Sequence, residues 1–134
     1  MVTDTFIAEH TRATVDEAME RVRQSLQERG FGVLWHLDIN EKLEEKGQER
    51  VDPFHILEVC SAPRARQALT KNQRTGYFLP CKIVVYRDAQ DGRTVIGLTR
   101  PQIMTDLLHD PGLTDLAREV EELLSAAISE AAQA

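Results

Sequence analysis

The sequence has few aromatic residues, only two cysteines and no long hydrophobic run. Aromatic side chains make up 5% of the 134 residues, and the longest purely aliphatic or aromatic run is Ile83–Tyr86. A membrane-spanning helix needs about 20 apolar residues, so we expect no membrane-bound protein. Met1–His10 contains acidic residues and lacks the apolar segment of a secretory signal. Because structural disulfides are typical of exported proteins, we expect reduced cysteines and a cytoplasmic location.

Motifs of the common enzyme and metal-site classes are also absent. Neither G-x-G-x-x-G nor a P-loop occurs, which removes the two commonest nucleotide-binding signatures. The absence of G-x-S-x-G argues against an α/β-hydrolase nucleophile. Without a C-x-x-C or H-x-x-x-H pair, a closed tetrahedral zinc site is not expected.

Positive charge is scarce overall but concentrated in one segment. The formal net charge is −6, which argues against nucleic-acid binding driven by bulk charge. Residues 60–100 nevertheless carry eight basic and two acidic side chains, a net charge of +6, and they contain both cysteines. With 42% hydrophobic and 28% charged residues, the chain is typical of one globular domain over residues 1–134. We expect residues 129–134 to form a frayed tail.

Hydrophobic periodicity and turn residues predict alternating strands and helices. Thr14 and Glu17 have the spacing of a capping box, so a helix is predicted from Thr14 to Gly30. The other predicted helices run from Asp38 or Asn40 through Lys46, from Ser61 through Thr70, and from Asp110 onward. The predicted strands are Thr3–Glu9, Phe31–Asp38, Phe54–Cys60, Cys81–Arg87 and Thr94–Thr99.

This order of elements predicts an α+β fold, β-α-β4-α. We expect a mostly antiparallel sheet with two long helices packed on one face and short helices in the connections. Several strands carry aliphatic residues on both faces, as in Ile83-Val84-Val85 and Val95-Ile96. Because helices on one face leave the other face open, a partner subunit or a bound ligand must cover it, and we expect a homodimer.

Cys60 and Cys81 are the best candidates for chemistry. Cys60 ends one predicted strand just before a helix that Ser61 would cap, and Cys81 begins the next strand. Antiparallel pairing of these strands would bring the two thiols to one edge of the sheet. The helix dipole and the cations of Arg64, Arg66 and Lys82 would favour a thiolate there. The alternative is that both cysteines are small buried apolar side chains without a chemical role.

A ligand or metal site can be outlined from the same residues. The candidate ligand-binding residues are Cys60, Ser61, Arg64, Cys81 and Lys82. A soft-metal or haem site would use both cysteines together with His36 or His55. The sequence identifies no cofactor, and no catalytic residue beyond the two cysteines.

Three blocks of the sequence resemble the domain of unknown function 302 family. The blocks are 31–34, 56–63 and 79–86, which read FGVL, ILEVCSAP and LPCKIVVY. The resemblance spans about residues 14–128 and implies a TATA-binding-protein-like α+β fold in a small homodimeric bacterial or archaeal protein. The family's recurrent cysteines fall on Cys60 and Cys81. Its usual Asn after the first cysteine is Ser61 here, and its Asp before a proline is Arg100.

Three functions remain open from the sequence. The first is a binding module for an anionic or sulfur-containing small ligand, or a soft metal, at a basic, cysteine-bearing sheet edge. The second is a thiol-redox enzyme in which Cys60 attacks and Cys81 resolves. The third is a structural or protein-interaction dimer with inert cysteines.

Overall fold

Five antiparallel strands form one sheet in the computed structural model, which describes residues 5–133. The strands are β1 (Phe6–Thr11), β2 (Gly32–Asp38), β3 (Phe54–Cys60), β4 (Cys81–Arg87) and β5 (Thr94–Thr99), in the spatial order β1-β5-β4-β3-β2. Every neighbouring pair is antiparallel. The predicted α+β class and the β-α-β4-α order are confirmed.

The helices are α1 (Val15–Glu28), α2 (Ile39–Glu45), α3 (Ala62–Lys71), α4 (Pro101–Asp106) and α5 (Thr114–Ala131). The predicted capping box begins α1: the Thr14 hydroxyl accepts from the Glu17 amide at 3.2 Å, and the Glu17 carboxylate accepts from the Thr14 amide at 3.4 Å. Short 3₁₀ segments follow α3 and precede α5, at Gln73–Phe78 and Pro111–Leu113.

The core lies between one face of the sheet and the two long helices. Leu26 of α1 and Leu124 of α5 are fully buried against Leu57, Ile83 and Ile96 of the sheet. The helices also contact each other through the Ser25 hydroxyl of α1, which donates to the Ala127 carbonyl at 2.9 Å. Within residues 5–133, no helix is long and apolar enough to cross a membrane.

The C-terminal segment corrects the prediction of a frayed tail. Helix α5 continues to Ala131, which is only 2% exposed and belongs to the core. Glu130 pairs with Arg29 at 2.7 Å, and the Gln133 carbonyl accepts from Arg21 at 2.6 Å. These contacts attach residues 129–133 to α1, while Ala134 lies outside the described residues.

Two other element boundaries differ from the sequence prediction. Strand β1 begins at Phe6, so the Thr3 and Asp4 of the predicted strand lie outside the described residues. Helix α4 was not predicted, although Pro101 occupies its first position as prolines commonly do. Asp110 caps the 3₁₀ turn Pro111–Leu113, accepting from the Gly112 amide at 2.9 Å, and α5 begins only after that turn.

A β-bulge in β2 interrupts the alternation of faces along that strand. The pairing register shifts between Val33 and Trp35, so residues after the bulge lie on the opposite face from the one that strict alternation gives. Trp35 pairs with Glu58 and is 48% exposed, whereas His36 pairs with Leu57 on the helix-covered face. The bulge therefore places His36 beside α1.

The other face of the sheet carries apolar side chains that are only half-buried. Val84 in the middle of the sheet pairs with Ile56 on one side and with Gly97 on the other. Phe54 and Tyr86 stack with their ring centroids 5.0 Å apart. This face is therefore apolar and partly open to solvent.

Candidate functional site

Both cysteines line an apolar cavity of about 80 Å³ between the sheet and α3. Antiparallel pairing of β3 with β4 sets Val59 opposite Cys81, and Cys60 is the next residue along β3. Helices α3, α4 and α5 complete the wall, mainly with Ala65, Ala68, Met104, Leu116, Ala117 and Val120. The strands thus place both cysteines on one cavity, and the helices form much of its apolar wall.

The guanidinium of Arg64 is already paired at the mouth of this cavity. It donates to one carboxylate oxygen of Glu119 from Nε at 2.9 Å and from Nη2 at 2.6 Å. A third N–H donates to the Ser61 hydroxyl at 3.1 Å, and the guanidinium carbon lies 5.9 Å from the ring centroid of Phe31. Ser61 forms no side-chain hydrogen bond to the amides of α3. The predicted hydroxyl cap is therefore wrong, and Arg64 binds that hydroxyl instead.

Lys82 does not belong to the cavity. It is exposed and pairs across the sheet with Glu58, and as the neighbour of Cys81 in a strand it points to the opposite face. Of the five predicted ligand residues, the structure brings together Cys60, Ser61, Arg64 and Cys81. The expected basic edge is absent at the cavity because Arg64 is paired and Lys82 points elsewhere.

Burial, rather than the nearby cations, controls the state of Cys81. Removal from water and, to a smaller extent, the neighbouring Cys60 together raise the pKa of the Cys81 thiol to about 11. Cys81 is therefore a neutral thiol near pH 7, contrary to the expectation of a thiolate. The reason is physical: desolvation disfavours the anion, and the positive charge of Arg64 is already balanced by Glu119.

Cys60 lies on the boundary between the cavity and the protein surface. It is half-buried, and besides the cavity it lines an open groove on the outer side of α3 together with Arg66, Leu69 and Thr70. Cys60 is therefore the thiol that a molecule in that groove would meet first.

The two candidate histidines contact each other, far from the cysteines. His36 Nε2 and His55 Nδ1 are 2.7 Å apart, but His55 and Cys60 are five residues apart along β3, which corresponds to about 16 Å of strand. A metal or haem site that combines the cysteines with a histidine is therefore contradicted, because the strand holds the two pairs at opposite ends.

Arg23 fixes the protons of the histidine pair. Arg23 Nη2 lies 3.2 Å from His36 Nδ1, and since a guanidinium can only donate, His36 Nδ1 carries no proton. His36 therefore donates from Nε2 to His55 Nδ1. Burial, His55 and Arg23, in that order, lower the pKa of His36, against the opposing effect of Asp38 and Glu41. Uptake of a proton at His36 Nδ1 would break the hydrogen bond with Arg23.

One further cluster of metal-ligating residues was missed by the sequence prediction. His10, Asp88 and Asp91 place ligand atoms within 4.8 Å of one another, a grouping that occurs nowhere else in residues 5–133. Both oxygens of Asp91 already accept hydrogen bonds from Arg93, at 2.9–3.1 Å, and these bonds lower the pKa of Asp91. Asp91 therefore stabilises the hairpin turn through Arg93, which occupies both of its carboxylate oxygens.

The raised pKa of Cys81 can be tested with a single thiol. In a Cys60→Ser variant we expect Cys81 to react with iodoacetamide up to about 100-fold more slowly at pH 8 than a free thiol of pKa 9.0, since each pKa unit is a factor of ten. Burial is the larger cause of the raised pKa and remains in this variant, so the midpoint of the pH dependence of the rate should lie well above 9.0. A midpoint between 8 and 9, with the rate of a model thiol, would show that Cys81 is not desolvated.

The histidine pair makes stability depend on pH. Because the pKa of His36 in the folded protein lies below its ordinary value of 6.5, the unfolded chain binds the proton first. Stability is therefore lost as the pH falls below 6.5. Urea unfolding should show that the free energy of unfolding is lower at about pH 5.5 than at about pH 7.5, by less than about 1 kcal/mol, since solvent screens an exposed ring.

Two histidine variants control for other titrating groups. His36→Gln keeps a hydrogen-bonding side chain without titrating in this range, so the pH-dependent loss should shrink. His10→Gln, on the far edge strand, should leave it unchanged. Equal losses in all three proteins would contradict the role of the pair.

Comparison with known proteins agrees with this architecture. The family model described as domain of unknown function DUF302 matches residues 7–131. A crystal structure of an uncharacterized conserved DUF302 protein from Bacillus stearothermophilus superimposes with a TM-score of 0.90 at 37% sequence identity, covering 96% of this chain and 99% of that chain. No curated protein matches. A family match over nearly the whole chain, with a relative of this identity, shows that the chain belongs to the DUF302 family.

Proposed function

We propose that this protein is a binding module that takes a small sulfur-containing ligand, or a soft metal, in the cavity between Cys60 and Cys81. The observation that carries the proposal is the meeting of two thiols on one apolar cavity. The proposal needs reduced thiols, and it is therefore consistent with a cytoplasmic location.

The size of the cavity limits the ligand. An engineered apolar cavity of about 150 Å³ holds benzene, whereas this one measures about 80 Å³. The ligand therefore has only a few non-hydrogen atoms, unless the wall moves. A haem is far too large for this space.

The chemistry of the wall favours a neutral ligand over an anion. An anion would lose its hydration against apolar walls, and the guanidinium of Arg64 is already engaged by Glu119. The two cysteines offer polarisable sulfur atoms, and the protonated thiol of Cys81 is a weak S–H donor. Such surroundings suit a small neutral thioether or thiol better than a carboxylate or phosphate.

A soft metal is the second form of the same proposal. Thiolates select copper(I), but metal binding requires the cysteines to lose their protons. The pKa of Cys81 is about 11, about four units above neutrality. The need to ionise this thiol therefore lowers the apparent metal affinity at pH 7 by about a factor of 10⁴. The neutral sulfur ligand avoids this cost and is therefore the preferred one.

Dimethyl sulfide is a suitable probe because it is neutral and has three non-hydrogen atoms. We expect its titration into methyl-labelled protein to produce saturable NMR shifts of Met104 and Ala117, which line the cavity. Ala68→Leu fills the cavity and should abolish the shifts. The matched control Ala62→Leu, on the same helix but outside the cavity wall, should leave them intact.

The outcomes separate the candidate ligands. Shifts that persist in Ala68→Leu, or their absence from the native protein, would contradict binding of a sulfur ligand in the cavity. If copper(I) binds instead, and binding is lost in Cys60→Ser, the ligand is the metal. If neither probe binds, both forms of the binding proposal fail.

The exposure of Cys60 to the outer groove favours thiol redox chemistry as a second candidate function. The Cys60 thiolate would attack a small disulfide and release one thiolate, and Cys81 would then displace the second to form the Cys60–Cys81 disulfide. Two electrons and two protons pass from the cysteines to the small disulfide in total. Incubation with glutathione disulfide would show this function as the loss of two hydrogens from the protein mass, abolished in Cys81→Ser.

We further propose that the chain forms a homodimer through the apolar face of the sheet, around Val84, Ile56 and Tyr86. These side chains form an apolar patch that the chain itself covers only in part. Apolar patches left open to solvent mark interaction sites, which supports this interface. Native mass spectrometry should give twice the chain mass.

A charge on this face tests the dimer. Val84→Glu should shift the protein to the monomer with its circular dichroism spectrum retained, because an unpaired carboxylate resists burial. Leu107→Glu, an exposed leucine at the end of α4 (63% exposed), should remain dimeric. A native protein that is monomeric at micromolar concentration would rule the interface out.

A further inference from the structure

Helix α3 has an unusual place in the fold, because it walls the cavity but buries none of its own residues. Its ten residues, Ala62–Lys71, are all exposed or half-buried. Ala65 and Ala68 face the cavity, and such short side chains bury little apolar area. Since apolar burial is the main source of packing free energy, α3 is held only weakly by packing.

Polar contacts hold α3 at both of its ends instead. Near the first turn, Arg64 donates twice to Glu119 of α5, at 2.6 and 2.9 Å. At the other end, Lys71 donates to the Gly112 carbonyl at 3.2 Å, and Asn72 donates to the Asp110 carboxylate at 3.1 Å. Each contact joins α3 to the segment that begins α5, or to α5 itself.

The cavity and the outer groove are separated only by this helix. Cys60 and Ala65 line both spaces. A movement of the first turn of α3 away from α5 would therefore join the groove to the cavity. It would expose Cys81 further, since this thiol is now half-buried.

We propose that α3 is a lid over the cysteine cavity and that the Arg64–Glu119 ion pair is its latch. The proposal rests on the proposed function in treating this cavity as the ligand site, and it supplies a wider entry path to a cavity that is only partly enclosed. Breaking the latch leaves the core intact, because α3 places no side chain in the core.

The accessibility of Cys81 reports the opening of the lid without any ligand. In a Cys60→Ser background, Glu119→Gln should increase the rate of Cys81 alkylation by iodoacetamide about two- to fivefold at a fixed pH, the range expected for loss of one exposed ion pair. Sodium chloride at 1 M should accelerate the alkylation of Cys81 in the protein that retains Glu119, because salt screens the ion pair, and should have little effect on the rate in Glu119→Gln.

A matched variant on α5, the helix that carries Glu119, separates the latch from general stability. Glu130→Gln removes the ion pair between Glu130 of α5 and Arg29 at the end of α1, whose atoms are 2.7 Å apart, and it should leave the alkylation rate unchanged. The rate should also change little in dilute urea, because a local opening exposes little surface.

Three results would overturn the lid. They are an unchanged rate in Glu119→Gln, an equal increase in Glu130→Gln, and a rate that rises with urea as steeply as global unfolding does. Because the assay contains no ligand, the lid can fail while the binding module stands. Conversely, a failed dimethyl sulfide titration leaves the lid result unaffected.

Discussion

The antiparallel pairing of β3 with β4 is the constraint on which the site depends. It sets Val59 opposite Cys81, so two cysteines that are 21 residues apart in sequence reach the same cavity. The same strand carries His55 at its other end, which keeps the histidine pair about 16 Å of strand away. Strand β3 thus has a sulfur end at Cys60, which lies beside Cys81, and an imidazole end at His55, which lies beside His36.

Charge pairing then decides what the sulfur end can do. The basic segment around the cysteines folds against the acidic helix α5, where Arg64 meets Glu119 and Arg100 meets Glu121. Arg64, the cation that lines the cavity, is therefore neutralised within the chain, whereas Arg66 lies on the outer groove and Lys82 on the opposite face of the sheet. Desolvation remains as the dominant effect, and it keeps Cys81 protonated. The cavity is consequently suited to soft, uncharged chemistry rather than to anion binding.

Local signals in the sequence predicted much of the fold. The bounds of β3, β4 and β5 follow from alternation and turn residues, and the start of α1 from Thr14 and Glu17. The rest depends on contacts between distant residues. The bulge in β2 and the ordering of residues 129–133 arise from packing that no local pattern encodes. The same holds for the cavity wall, since Met104 belongs to the unpredicted α4, and for the charge state of the thiols.

The central claim is that Cys60 and Cys81 border a space that holds a small sulfur ligand. The most direct measurement is a sulfur anomalous difference map from crystals soaked in dimethyl sulfide. The account predicts a fourth sulfur peak in the cavity, beside those of Cys60, Cys81 and Met104, in contact with both cysteine sulfurs and with Ala68. A map with only the three protein sulfur peaks there, and a cavity that is collapsed or filled with water, would contradict it.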